Sequence, residues 1–549
     1  MCGISALIQN DDQRDETVMP KFIKAFQTIK YRGPDHTSTV SLVNNHNKSV
    51  FLGFHRLAII DPTAKSDELL QDRPEGKDQN VYLTCNGEIY NYQYLIKKYS
   101  LLVKTGSDCE VILQLYRQYP QLWPEIIEEF DGDFAFILYD ANLGICLAAR
   151  DRMGVRPLFH AHSKNNVAFG SEGKAVPFVN VRQFPPGHWV KFSQFEKYQP
   201  ESWVMHRPYF RINYESAQVV IRELFTEAVR KRLMSDRPIG FLVSGGLDSS
   251  LVAAVAAKLL NKRITTFSIG LPGSPDLAAA AIVAKSINSD HHEIIISTAD
   301  ILEALPAVVR HCETYDITTI RASIPMYLIS KYIKEHTDTK VIFSGEGADE
   351  LLGGYLYFHK APSYQAFQTE TVRLLKELYK YDVLRGDRTT AAWGLEIRVP
   401  FLDADFLTFV TNIDPGHKMP KIPHGFVQRT NHGIEKALMR EAFAGYLPES
   451  IINRQKEAFS DGVGTSSVAA LKKWASEHPA PMVDIPGAAT PQTDEARYYY
   501  QLFQEHYVEF RGLYPEYYWM PRWFDNVTDP SATVLSVYGT FCEKVLPKS

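Results

Sequence analysis

The chain begins Met1-Cys2-Gly3-Ile4, and the run Ser244-Gly245-Gly246-Leu247-Asp248-Ser249-Ser250 lies nearer its middle. Both stretches hold residues that could do chemistry. Residue 2 has a small side chain, which permits removal of Met1 and leaves Cys2 with a free α-amine. The thiol is then a nucleophile, and its own amine, with an ordinary pKa of about 8, can be the base. A bare Met-Cys start carries little weight by itself. Three later stretches add to it. In "NGEIYN", Asn86 and Gly87 can donate to an oxyanion, the first by its side-chain amide and the second by its backbone N–H. In "FHRLAIID", Arg56 can clamp a carboxylate with two parallel hydrogen bonds. In "TGSDCE", Asp108 can join Glu88 in holding an α-ammonium. Together these fit one amino acid with a side-chain amide, glutamine.

The second stretch has another chemistry. Two glycines let the backbone turn tightly and approach a ligand with no Cβ in the way. Free amides at a helix start suit a phosphate. Ser244, Ser249 and Ser250 can add hydroxyl donors. Asp248 would repel an anion bound by the loop alone, and makes sense if Mg²⁺ lies between carboxylate and phosphate. A strand-to-helix turn with a capping aspartate would account for the same residues. The pattern is not GxxxxGK[ST], so γ-phosphate transfer is not implied. "FSGEGADE", 343–350, supplies a second acidic loop. Its Asp349 is a candidate second Mg²⁺ ligand, and Glu346 a candidate general base for an attacking amine.

These residues need elements to position them. Through residue 200 the chain shows short β-type runs ("VYLTCNGEIY", "FAFILYD", "ICLAARD", "VAFGSE") with helical patterns at "MPKFIKAFQTIK" and "CEVILQLYRQY". This predicts a layered α+β domain. Little periodicity remains around 195–215, where a domain junction is expected. Beyond it, "IGFLV", "ITTFSIGL", "HHEIIIS" and "KVIFSGEGADE" read as strands, and "SSLVAAVAAKLL" and "DLAAAAIVAKSI" as helices. Strand and helix in alternation predict an α/β domain on a parallel sheet. The boundaries are set at 2–205 and 206–549. The remainder reads as mostly helix and loop. After about 475 no motif is evident, and the aromatics of "YYYQLF" and "YPEYYW" read as packing or partner surface.

The chain has 549 residues, 45% hydrophobic and 22% charged, with a net charge of -5. A single core rarely grows past about 300 residues, so two or more domains are expected. The acidic balance gives no support for nucleic-acid binding. No apolar run approaches the roughly 20 residues of a membrane helix, and no secretory signal opens the chain. The cysteines at 2, 85, 109, 146, 312 and 542 have no CxxC spacing, which reads as reduced thiols in a cytoplasmic protein.

Residues 2–200, with "YRGPD" at 31–35, resemble the class II glutamine amidotransferases, N-terminal-nucleophile hydrolases whose fold is an αββα sandwich. That resemblance implies Cys2 as nucleophile and a glutamine pocket lined by Arg56, Leu57, Ala58, Ile59, Ile60, Asn86, Gly87, Glu88 and Asp108. The SGGLDSS loop resembles the pyrophosphate loop of the ATP pyrophosphatase superfamily, which cleaves ATP between the α and β phosphates and activates a carboxylate as its adenylate. Joined in one chain, the halves resemble the glutamine-hydrolysing asparagine synthetase B family over about residues 2–465. The resemblance implies glutamine, aspartate and ATP as substrates, with Mg²⁺, and leaves a homodimer open. It implies nucleotide contacts from Leu242, Ser244, Gly245, Gly246, Asp248, Ser249, Ile269, Ser344 and Gly345. It implies aspartate contacts from Thr318, Arg321 and Tyr355, and Lys456 beside the α-phosphate, where it would offset transition-state charge.

Two positions depart from the family pattern. Asp133 stands where an apolar residue is common, and Gly173 where methionine is usual. If either lies between the domains, ammonia transfer could differ. A phosphoribosyl amidotransferase would share the first half only. A β-lactam synthetase would share the second with a decayed first half. An amidotransferase for a larger carboxylate is harder to exclude. A catalytically silent sensor predicts lesions in the chemistry, and none is found.

Overall fold

The computed structural model describes residues 1–10, 15–43, 48–63, 66, 70–72, 81–163, 165–191, 194–197, 209–420, 433–457, 462–525, 527, 529–531 and 535. Two six-stranded antiparallel sheets form the N-terminal part. One runs Arg182–Gln183, Phe159–His162, Asn166–Gly170, Gly3–Asn10, Lys48–Arg56, His36–Val43. The other runs Gln194–Lys197, His188–Lys191, Ile145–Arg150, Gly132–Asp140, Val81–Ile89, Leu70–Asp72. Strand period explains how they stack, because successive side chains leave opposite faces. Ile4, Ala6 and Ile8 join Tyr82, Ala135, Ile137 and Tyr139 in one core between the sheets. Leu7 points the other way, onto Phe22 and Phe26 of the helix Val18–Gln27. On the far side, Val111, Ile112 and Leu115 of the helix Glu110–Gln118 cover Leu83, Phe136 and Leu138. This is the expected αββα sandwich. Its central strand starts at residue 3, so the fold itself brings Cys2 to the end of a buried strand.

The second part is a five-stranded, fully parallel sheet. Its order is Asp290–Ile295, Thr265–Gly270, Ile239–Leu242, Val341–Phe343, Glu396–Arg398. Numbered along the chain this is 3-2-1-4-5. The direction of winding therefore reverses between Ile239–Leu242 and Val341–Phe343. In open α/β sheets, ligands bind in the crevice at such a switch point, beyond the carboxyl ends of the strands. The two strands that flank it run directly into the SGGLDSS and SGEGADE loops.

Two differences from expectation have physical reasons. Glu396–Arg398 adds a fifth strand that its charged ends hide from a hydrophobic pattern. All three of its residues are buried. The expected junction opens inside a strand, since Gln194–Lys197 pairs with His188–Lys191. The rest of that junction, 198–208, lies outside the described residues, as does Cys542. The tail holds a 14-residue helix, Asp494–Tyr507, whose Tyr499, Tyr500 and Phe503 are buried as packing. Among the described residues no helix is long and apolar enough to cross a membrane.

Candidate active sites

Cys2 precedes the strand Gly3–Asn10, and its thiol lies against the 56–60 segment. Leu57 N–H reaches Cys2 Sγ at 3.4 Å. Burial pushes the thiol pKa up to about 11. Met1 is buried, in a core shared with Leu57, Ile59, Met153 and Val155. Its ammonium lies 3.7 Å from Glu396, and burial lowers its pKa.

Asn86, Gly87 and Glu88 lie on the strand Val81–Ile89. Both side-chain polar atoms of Asn86 are buried and have no hydrogen-bond partner among the described residues. Native proteins leave few such groups, because a buried amide without a partner is costly. A ligand that uses this amide removes that cost. Gly87 has φ +141, and a Cβ there would come within 2.1 Å of the Asp133 carbonyl. Only glycine fits, which keeps the backbone beside Asn86 open. Asp108 accepts from the Ile89 N–H at 2.6 Å. Burial pushes its carboxyl up to about 6. Glu88 is pushed well above the ordinary range by burial, then by the charges of Asp108 and Glu396. Burial outweighs the pull of Arg398 on both carboxyls, and a substrate ammonium beside them would add a second cation. Arg56 points its guanidinium at the carbonyls of Ile60 and Thr63, both at 3.2 Å. It thereby shapes the segment that carries Leu57, Ala58 and Ile59, which are themselves buried.

The nucleotide and acceptor residues converge on one cavity at the switch point. Leu242, Ser244, Gly246, Asp248, Ser249, Ile269, Ser344, Gly345, Glu346 and Asp349 line it, with Thr318, Arg321, Tyr355 and Lys456. Gly245 shapes it from behind. Its φ is +73, and a Cβ would meet Ala279 at 2.3 Å. Gly345 is needed because its loop crosses the first one, and a Cβ would lie 2.8 Å from Ser249 N. Ser249 Oγ caps Ser244 N–H at 3.1 Å, which folds the loop on itself. Ser250 is fully buried and does not line the cavity, so it is not among the hydroxyl donors there.

Asp248 and Asp349 lie together, as two ligands of one cation would. Two lysines bridge them. Lys436 Nζ is 2.5 Å from each, and Lys456 Nζ is 2.7 Å from Asp349. Burial pushes the Asp349 carboxyl up, but Lys436 and then Lys456 outweigh it and hold it at about 2. Asp248 Oδ1 is buried and has no hydrogen-bond partner among the described residues. Glu346 is pushed up to about 7 by burial, offset in part by Arg385 at 2.6 Å. A carboxylate with that pKa suits proton transfer near neutrality. Thr318 Oγ1, in the same cavity, is buried and has no partner among the described residues. The Tyr355 hydroxyl donates to Glu350. Arg321 donates instead to Glu495 and Asp529 of the tail.

Several residues of these sites escape sequence reasoning. Lys436 follows no motif. Its φ of +56 is unusual for a side-chain-bearing residue, and such strain collects at working sites. Glu396 and Arg398 belong to the parallel sheet yet reach the other half of the chain, with Arg398 Nη2 3.5 Å from Glu88. Two charges inside a short β-run were the available signal. Trp519 lines the nucleotide cavity, although its stretch reads as packing.

Both departures lie on the face between the halves. Asp133 accepts from Tyr90 at 2.8 Å and pairs with Arg232 of the second half at 3.3 Å. A Cβ on Gly173 would meet Leu513 at 2.7 Å, so the tail fills the space a larger residue would take. Gly173 N–H also donates to Glu313 at 2.8 Å. Around it, Arg32 joins Glu172 and Asp387, both at 2.8 Å, which ties the two halves through buried charge.

The sequence matches two known domain families. A glutamine amidotransferase domain matches residues 1–180, and an asparagine synthase domain matches 220–366 and 360–523. The chain belongs to the asparagine synthase family. A probable asparagine synthetase [glutamine-hydrolyzing] of Acanthamoeba polyphaga mimivirus is 40% identical over 571 residues, covering 98% of this chain and 100% of that protein. Asparagine synthetases [glutamine-hydrolyzing] of Cricetulus griseus and Homo sapiens are each 42% identical, covering 98% of this chain and 99% of theirs. Within the family frame, the amidotransferase match contains Cys2 and Asn86, and the synthase match contains both acidic loops.

Proposed function

We propose that this chain is a glutamine-dependent asparagine synthetase with its two reactions divided at about residues 205 and 206. The observation that carries the reading is the pairing of two equipped sites. One holds the Cys2 thiol against Leu57 and a buried Asn86 amide with no partner among the described residues, and the other is a switch-point cavity that gathers both Gly-rich loops.

With Met1 removed, the Cys2 amine takes the thiol proton and the sulfur attacks the glutamine carboxamide. Asn86 and Gly87 donate to the oxyanion, Arg56 and the 57–60 segment bound the substrate, and Glu88 and Asp108 hold its ammonium. Ammonia leaves, and water releases glutamate from the thioester. In the second site, the Ser244–Ser249 loop cradles the pyrophosphate of ATP. Leu242, Ile269, Ser344 and Gly345 bound the nucleotide. The β-carboxylate of aspartate attacks the α-phosphorus, pyrophosphate leaves, and β-aspartyl-AMP forms. Lys456 and Lys436 offset charge on the phosphoryl group. Asp248, with its unpartnered oxygen, and Asp349 fit a hard cation. Magnesium bound there supplies further neutralisation of the pyrophosphate. Glu346 takes the proton from attacking ammonia, and AMP departs. Thr318 and Tyr355 define the acceptor end with Arg321. Five cysteines free of disulfides support a cytoplasmic setting, and light scattering decides whether the assembly is a homodimer. The test is product analysis with glutamine, aspartate and MgATP. Asparagine, glutamate, AMP and pyrophosphate in equal amounts support the reading. Pyrophosphate release only with another carboxylate overturns it.

A further inference from the structure

The tail after residue 475 has no sequence motif, yet part of it lines the synthetase cavity. Trp519, Pro530, Ser531 and Leu535 form part of the wall that also includes both acidic loops. One carboxylate fastens this wall. Asp529 accepts from Arg321 through both oxygens, at 3.1 Å from Nη1 and 2.9 Å from Nη2. It also pairs with Lys472 at 2.8 Å. Its Oδ1 accepts from Ser531 N–H at 2.9 Å, which turns the next residues into the cavity. The other edge of Arg321 grips Glu495, with Nε at 2.8 Å, and Tyr499 donates to the same Glu495 oxygen at 2.8 Å.

Arg321 is thus buried between two carboxylates of its own chain, at the acceptor end of the cavity. Its planar fork suits bidentate pairing, and buried charge-assisted bonds are strong and directional. The helix Ile317–His336, which carries Thr318 and Arg321, is locked to the tail through them. An acyl-adenylate in this cavity faces a competing reaction. Water can attack its acyl carbon, the bond from that carbon to the phosphate oxygen breaks, and aspartate and AMP leave with the water's protons passing to solvent. ATP is then consumed and no amide forms. Excluding water from the cavity suppresses that path.

We propose that Asp529 is a positioning residue of the synthetase reaction. By gripping Arg321 it holds the C-terminal segment as a wall of the acceptor end and keeps bulk water from the adenylate. This inference rests on the synthetase reading above, and one experiment separates the two. Full-length wild-type protein and Asp529→Asn are given ammonium, aspartate and MgATP, and AMP is counted against asparagine. Failure of wild type to make asparagine sinks the synthetase reading. With wild type equimolar, Asp529→Asn is expected to form several-fold more AMP than asparagine, with an unchanged glutaminase rate. Asp529→Glu is expected to restore most of the coupling. Lys472 is half exposed, and Lys472→Met is expected to give a smaller excess in the same direction. An equimolar ratio in both Asp529→Asn and Lys472→Met overturns the proposal. A lower KM for aspartate at an unchanged ratio also overturns it, because Asp529 would then be a competitor for the substrate's place.

Discussion

Arg398 of the parallel sheet lies 3.5 Å from Glu88 of the amidotransferase sandwich, and both are buried. Arg398 is also 3.0 Å from Glu396, whose other oxygen lies 3.7 Å from the chain's own amine. The edge strand of the parallel sheet therefore reaches both Glu88 and the chain's first residue. Removing Arg398 would take the ion-pair partner from buried Glu88, while Glu396 keeps Arg156 at 3.6 Å; breaking a buried pair costs about 3–5 kcal/mol in comparable cases. Arg398→Met is expected to lower the thermal midpoint and raise the glutaminase KM for glutamine. Calorimetry and a glutamate-release assay check both. An unchanged KM would mean that the interface does not shape the pocket.

Asn86 has a buried amide with no hydrogen-bond partner among the described residues. If it donates to the oxyanion, Asn86→Ala should reduce glutaminase kcat by about 10²–10³-fold with little change in KM. Synthesis from added ammonium should persist. A rise in KM alone would make Asn86 a binding group.

Glu346 should show itself in pH dependence. Its carboxyl is raised to about 7, so below that pH it is protonated and cannot accept a proton. The rate of adenylate aminolysis is expected to rise with pH through about 7 and level off above. Hydroxylamine is the nucleophile to use, because it stays largely neutral across this range while ammonia does not. Glu346→Gln should reduce the rate and flatten the profile. A profile of unchanged shape in Glu346→Gln would assign the base elsewhere.

How much of this was legible in sequence depended on whether a function is local. Ser244–Ser249 and Ser344–Asp349 are short loops whose glycines are dictated by close backbone approach, so their types and spacing carried the signal. Cys2 and Asn86 were readable for the same reason, each having one chemical use in its pattern. Lys436, Arg398 and Asp529 act across 188, 310 and 208 residues of chain respectively. A lone lysine, arginine or aspartate looks like any solvated charge until the fold delivers its partner. The fifth strand was hidden likewise, because its two charged residues are buried by another domain rather than by an apolar pattern.

Gly173 is readable only with the tail in view. A methionine there must displace Leu513, whose side chain occupies the space. Gly173→Met is expected to destabilise the protein by about 1–3 kcal/mol, as overpacked interiors do. Leu513→Ala in the same chain should recover part of that loss. Thermal unfolding of the single and double variants measures it. Simple additivity of the two losses would show that the residues do not compete for one space.

The account stands on two separate chemistries joined in one chain, and Cys2→Ala tests that most directly. Asparagine formation is followed with glutamine and, separately, with ammonium as nitrogen donor. The account predicts no asparagine from glutamine and a near wild-type rate from ammonium, because the cavity around Asp248 and Asp349 does not use the thiol. Equal loss with both donors in a folded variant would contradict it.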